Sequence, residues 1–403
     1  MTEQHDTRGP ASLELHGAAF QSDPHAALRA CAERHWYADT MMGPAILGFD
    51  EVQAVIQSRQ FRTPGADFLA MQGITSGPLV ALMQGLLLNT DGAAHDRVRR
   101  LVSKAFTGPR VEAYRATIRA TAERLADGLV GGTHDFVAEF ADPLGLRVLG
   151  GFVGIPIEAV ARVAGWSADI GLLFGMNVVE NSPRIEAALT ALNAYIDDLL
   201  AARRADPADD LLSGLIAAEE AGDLLSDAEL RAMIITLMSA GHHTTVRQLG
   251  NAMATFLGHP EQWQLLRADP SLAAQAAEEV VRHSPAAVLG VPRIAKAEVV
   301  LRERSFAPGT CVFPVTGAAN RDPRMFSEPD RFDITQRRRP HLTYGGGIHH
   351  CLGVALARAE LQESLLALSA RLRAPEAAGP ATWYPPTEAV YGPISLPVRD
   401  ASA

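Results

Sequence analysis

Apolar residues recur three and four positions apart over 110–130, 185–203 and 211–220. That period places them on one face of a helix. Over 153–158 and 287–315 the pattern changes to β-branched runs bounded by Gly and Pro, which predicts short strands. Residues 383–398 read as a loop and a short hairpin. The sum is a mainly α chain with a minor β-sheet region. No Pro/Gly/Ser-rich spacer, charge block or repeat interrupts the pattern, and the polar stretch 203–211 is one loop's worth. A single domain over residues 1–403 is therefore expected.

One helix stands out. Ser226 and Glu229 have the spacing of a capping box, and Gly258 with Pro260 is a stop signal. A helix of about 30 residues between them would be roughly 46 Å long at 1.5 Å per residue. Leu230, Met233, Ile234, Leu237 and Met238 form its apolar stripe. At about 100° per residue the stripe continues through Gly241 and Thr244, where it stops being bulky. A buried stripe that narrows to Ala240, Gly241 and a hydroxyl leaves room for something large and flat. A helix crossing or a kink at Gly241 explains the same pattern, and both readings stay open.

Composition narrows the class. The formal net charge of -10 argues against a general nucleic-acid binder. Lysine occurs only at Lys104 and Lys296, so nearly all positive charge is arginine. Cys31, Cys311 and Cys351 are too sparse and too widely spaced for a disulfide framework. The N-terminal stretch has no apolar signal core, and the most apolar run, Leu79 to Leu88, carries Gln84 and Gly85. A membrane-spanning helix needs ~20 apolar residues. A soluble, reduced, cytoplasmic protein is expected.

The candidate chemistry sits at Cys351. Residues 342–353 read Leu-Thr-Tyr-Gly-Gly-Gly-Ile-His-His-Cys-Leu-Gly, and a helix follows with Leu361, Leu365, Leu368 and Leu372 on one face. A cysteine where a glycine-rich loop enters a helix meets free N–H groups and the positive end of the helix dipole, which favour thiolate. Three other readings compete. A lone Cys serves as a small buried hydrophobe in many proteins. A Gly run before a helix can cradle phosphate, but no Lys-Ser/Thr follows here. His341, His349, His350 and Cys351 offer zinc ligands, although three adjacent residues converge poorly on one ion.

Here the chain resembles the cytochrome P450 family. Gly345, Gly347, His349, Cys351 and Gly353 match the family's haem loop, with Tyr344 in place of its Phe. Ala357, Arg358 and Glu360 fit the helix that follows. Glu279 and Arg282 match the Glu-x-x-Arg pair, one helical turn apart. Ala319-Asn320-Arg321-Asp322-Pro323, then Phe326, Pro329, Phe332 and Asp333, look like the segment before the haem loop. Ala240, Gly241 and Thr244 match the oxygen-activating stretch of the long helix. The resemblance runs over nearly the whole chain and implies haem b (iron protoporphyrin IX) with Cys351 as iron ligand. It also implies His95, Arg99, Arg293 and His349 as propionate contacts; an ordinary surface or core pair is the alternative for each.

The resemblance implies a monooxygenase that hydroxylates or epoxidises a medium-sized organic substrate, because thiolate ligation favours O–O cleavage. Thr244 is present for proton delivery, but the acid that precedes it in the family is His243. Histidine carries protons near neutral pH, so a changed relay and a histidine packed behind the helix both remain open. Electrons are expected from a ferredoxin or flavodoxin with its reductase. Arg99, Arg100, Lys104 and Arg110 form a basic patch for such a partner or simply a solvated face. The implied pocket includes Leu237, Ala287, Val288, Val291, Val390 and Tyr391, which suits an apolar or aromatic ligand. A monomer acting in secondary metabolism, with neither nucleic acid nor membrane as partner, is expected. Oxidative coupling without oxygen insertion is the nearest rival, and a non-catalytic haem or small-molecule binding protein the rival of another class.

Overall fold

The capping box forms as its spacing dictates. The Ser226 backbone N–H donates to Glu229 Oε2 at 2.8 Å and the Glu229 N–H donates to Ser226 Oγ at 3.3 Å. From it the helix Asp227–Leu257 runs 31 residues in the computed structural model, which describes residues 10–175, 177–220 and 222–401. The chain is 57% helical with small sheets. The periodic segments become the helices Gly108–Asp127, Val178–Ala205 and Leu211–Ala217. Residues 153–158 are not a strand. Val153 ends one helix, Gly154 turns the chain at φ 101°, and Ile157 starts the next. The β-branched residues there are helix ends, and a left-handed glycine cap explains the break better than a strand boundary.

The chain divides into two compact units. The first gathers residues up to Pro64, Asn251–Cys351 and Thr382–Ile394. Its six-stranded sheet runs in the order Ala11–Ser12, Tyr37–Asp39, Ala45–Ile46, Cys311–Pro314, Arg293–Ala295, Phe61–Arg62. Phe313 lies parallel to Ala45, and Val312 lies antiparallel to Arg293. Phe49, Phe306, Val312 and Phe326 share one apolar cluster; Phe20, Leu28, Val288 and Phe313 share another.

The second unit holds Gly65–Gly250, Leu352–Ala381 and the segment from Ser395. The helices Gly108–Asp127 and Val354–Arg371 are joined by a buried carboxylate: Glu363 Oε1 accepts from Arg115 Nη1 at 2.9 Å, and its Oε2 accepts from Arg119 Nε at 2.7 Å. The long helix contributes Asp227–Gly250 to this unit and Asn251–Leu257 to the first. Among the described residues no single helix is long and apolar enough to cross a membrane; Val137–Val153 with Ile157–Phe174 passes only as a pair bent by 108°.

Candidate active site

In the first unit, buried charge builds the support for the cysteine loop. Glu279 and Arg282 lie one turn apart on the helix Ala273–His283, each almost fully buried. Arg282 Nε and Nη2 donate to the two Glu279 oxygens at 2.7 and 2.8 Å. The remaining Arg282 donors reach the carbonyls of Asn320, Pro329 and Arg331. Arg338 Nε adds a bond to Glu279 at 3.1 Å. The motif reading did not find Arg338; its only signal is the run Arg337–Arg339. Asn320 then carries the support onward, its Oδ1 accepting from the Leu342 N–H at 2.8 Å and its Nδ2 donating to Thr343 Oγ1 at 2.7 Å.

The loop closes when the Cys351 N–H donates to the Tyr344 carbonyl at 2.9 Å. Gly345 and Gly347 both have positive φ, 71° and 62°. At Gly347 a Cβ would also come within 3.0 Å of the Gln57 Cα and the Ile56 carbonyl. Only glycine combines that conformation with that approach. Cys351 and His349 are half-buried, and Gly353 is the N-cap of the helix Val354–Arg371, with no side chain capping it.

The implied pocket segments of this unit do meet. The Tyr391 N–H donates to the Ala286 carbonyl at 2.7 Å, and Asn251 Nδ2 donates to the carbonyls of Ser284 and Tyr391. Tyr391 stacks on Trp383 with ring centroids 5.3 Å apart. Val291 is exposed, while Ala287 and Val390 are half-buried. Val288 is buried. Its side chain packs against Gly317, where a Cβ would come 2.9 Å from Val288 Cγ1, and it belongs to the apolar core.

In the second unit the long helix resolves its own ambiguity. Gly241 is a crossing point, because a Cβ there would come 3.0 Å from Leu149 Cδ2 of the helix Asp142–Val153. Ala240 and Thr244 are instead exposed, although Leu237, Met238, His242, Thr245 and Val246 around them are buried. The notch and the crossing both exist, on different faces. Thr244 Oγ1 donates back to the Ala240 carbonyl at 2.6 Å, which leaves the hydroxyl's lone pairs free to accept.

His243 is pushed down to about 4, first by burial and then by the charges of His242 and Arg247. It is therefore neutral at neutral pH. His242 is buried, with Nε2 3.0 Å from Asp142 Oδ1, a charge contact rather than an aligned hydrogen bond. On the other flank Thr245 Oγ1 lies 3.3 Å from Glu360 Oε2. Glu360 is fully buried, and burial raises it to about 8. The sequence placed Glu360 on its helix but gave no sign of the Thr245 contact. His95 and Arg99 sit one turn apart on the helix Gly92–Ala105, His95 buried and Arg99 half-buried.

Two observations test the chain against haem. Arg293 is 5% exposed, and among the described residues no carboxylate pairs with it; Nη1 donates only to the carbonyls of Val291 and Pro292. Burial alone lowers it to about 10. A buried cation whose counter-charge the protein does not supply fits a bound carboxylate. The second is the exposed notch at Ala240 and Thr244 among buried neighbours of the helix, which fits a flat apolar group. Both agree with the donor set, a cysteine at a helix entry.

Residues 173–372 match the family model described as Cytochrome P450. The luteothin monooxygenase of Streptomyces thioluteus is 36% identical over 373 residues, 92% of this chain and 91% of that protein. The chain belongs to the cytochrome P450 family. This P450 is also similar to the crystal structure of CalO2, at TM-score 0.89 and 31% identity over 96% of this chain and 98% of that one. A third likeness is to CxnD, a P450 described as acting in C-S bond formation in chuangxinmycin biosynthesis: TM-score 0.85, 28% identity, 98% of both chains. The P450 is thus an oxidoreductase of the monooxygenase class with haem b as cofactor, which supplies O–O bond cleavage under thiolate ligation. Its substrate is a small molecule, and its electrons come from partner proteins.

Proposed function

We propose that this P450 hydroxylates or epoxidises a medium-sized, largely apolar secondary metabolite. The observation that carries the reading is the Ala240–Thr244 notch: a small residue and a hydroxyl open to solvent in the middle of a buried helix. Cys351 holds the iron. Arg293, His349, His95 and Arg99 bind the haem carboxylates, since cationic and N–H donors suit such groups. Tyr344, Gly345, Gly347 and Gly353 shape the loop. Thr244 accepts and passes protons, with Ala240 leaving room beside it, while Gly241 packs on Leu149 at the helix crossing. Leu237, Ala287, Val291, Val390 and Tyr391 contact the substrate, and the exposed Val291 suits an apolar surface there.

The whole chain acts as one catalytic domain, as a cytoplasmic monomer that takes electrons from a ferredoxin or flavodoxin. Arg99, Arg100 and Lys104 share one helix and Arg110 opens the next, a basic edge suited to an acidic partner; Arg110 lies 3.4 Å from Asp209. A luteothin monooxygenase among the relatives supports the substrate class. The second reading, oxidative coupling without oxygen insertion, is favoured by the likeness to CxnD. Turnover under ¹⁸O₂ separates them. Label in the product is the expected result, and an unlabelled coupled or cyclised product overturns the monooxygenation reading in favour of coupling.

A further inference from the structure

Reduction of dioxygen to product and water consumes two protons per turnover, so the notch at Thr244 needs a supply. In the second unit the groups that can deliver lie on one flank of the long helix. Asp142 opens the helix Asp142–Val153, immediately after a wider π-helical turn at Val137–Ala141. Its side chain is 45% exposed, so it meets water. Its carboxyl is held below the usual range, first by His242. His242 is the buried neighbour, and Gly145 makes its seat: a Cβ there would lie 3.3 Å from His242 Cδ2. Nε2 faces Asp142 Oδ1 at 3.0 Å, and both ring nitrogens are buried with no aligned hydrogen-bond partner among the described residues. The His243 ring follows, with centroids 4.9 Å apart. The groups that face His243 are His242 and Arg247 from its own helix and Asp142 from the next. The helix Ile157–Gly171 approaches at Gly171, whose Cβ would lie 4.0 Å from His243 Nε2.

We propose that Asp142, His242 and His243 form the proton inlet that recharges Thr244. Asp142 is the entry residue. Its exposed carboxylate takes a proton from water and passes it to the His242 Nε2 that it faces, and the imidazolium so formed gives up the proton of its buried Nδ1. That proton goes to one ring nitrogen of His243, and His243 releases the proton of its other nitrogen to the Thr244 oxygen. Thr244 then gives up its own hydroxyl proton to the reaction. One proton enters, one leaves, and no electron moves within the relay. Because His243 is neutral near pH 7, it serves as a two-sided conductor rather than as a stored acid. The proposal rests on Thr244 lying at the reacting oxygen.

Two measurements on the holoenzyme test it. The first follows how consumed oxygen divides between hydrogen peroxide and water, with NADPH, a surrogate ferredoxin and its reductase. Asp142→Asn and His242→Phe should each raise the peroxide-to-water ratio about fivefold, the loss of a modest part of an acid–base contribution. Asp142→Glu should restore it. The second is the ¹⁵N spectrum of labelled histidine in the ferrous, carbon-monoxide-bound protein, where Asp142→Asn should change the His242 tautomer ratio. An unchanged ratio and spectrum in Asp142→Asn overturn the inlet. So does a rise confined to Glu360→Gln, which would place the supply on the Thr245 flank. If Thr244→Ala also leaves the ratio unchanged, the Thr244 assignment fails with it; if Thr244→Ala alone raises it, only the inlet fails.

Discussion

The support under the cysteine loop and the middle of the long helix use buried charge in opposite ways. Under the loop, Glu279, Arg282 and Arg338 are matched to each other and to main-chain carbonyls. The result is a fixed scaffold with its donors filled. Around Thr244 the buried groups are left displaced: Glu360 is raised to about 8, His243 is lowered to about 4, and a buried nitrogen of His242 has no described partner. A satisfied network holds geometry, whereas Glu360, raised toward neutrality, can exchange a proton near neutral pH, and His243, lowered to about 4, stays uncharged there.

The largest test removes the element that the scaffold serves. Cys351→Ser should abolish the red-shifted Soret band of the reduced carbon-monoxide form, together with turnover. Retention of that band would sink the ligand assignment. Next, Glu279→Gln should destabilise the protein by about 3–5 kcal/mol in denaturant unfolding, because it leaves Arg282 buried without its counter-charge. A loss below about 1 kcal/mol would show that the scaffold is not built on this pair.

Arg293→Leu separates binding from folding. Removal of a buried cation without a protein counter-charge should leave the melting temperature of the haem-free chain unchanged or raised. Haem affinity should fall about tenfold, one charge-assisted bond's worth. If the haem-free chain is destabilised while haem affinity is unchanged, Arg293 is a packing residue.

The last effect is a pH dependence at Glu360. Its folded-state pKa lies above the ordinary value of 4.5, so the folded protein binds the proton more tightly than the unfolded chain. That stabilisation is fully present below about 4.5 and is lost as pH rises through about 8. Glu360→Gln should therefore flatten the fall in melting temperature between pH 5 and pH 8. An unchanged slope would remove Glu360 from the set of displaced groups.

Local signals wrote much of this molecule in advance. The capping box at Ser226, the loop glycines Gly345 and Gly347 and the Glu279–Arg282 spacing each state a backbone or one-turn requirement that neighbouring residues meet alone. The sequence therefore determined the ends of the long helix, the cysteine loop and the family. It could not say that Gly241 faces Leu149 while Thr244 is open, because a period of 3.6 gives a face but not what covers it. It misread 153–158 as a strand, since β-branched residues fit helix ends as well as strands. Tertiary packing decided which buried groups found partners. Arg338 reached Glu279, Val288 went into the core, and Glu360 was left buried against Thr245. Contacts between residues 59, 29 and 115 positions apart set those outcomes, and a buried side chain's energy depends on what the rest of the fold brings to it.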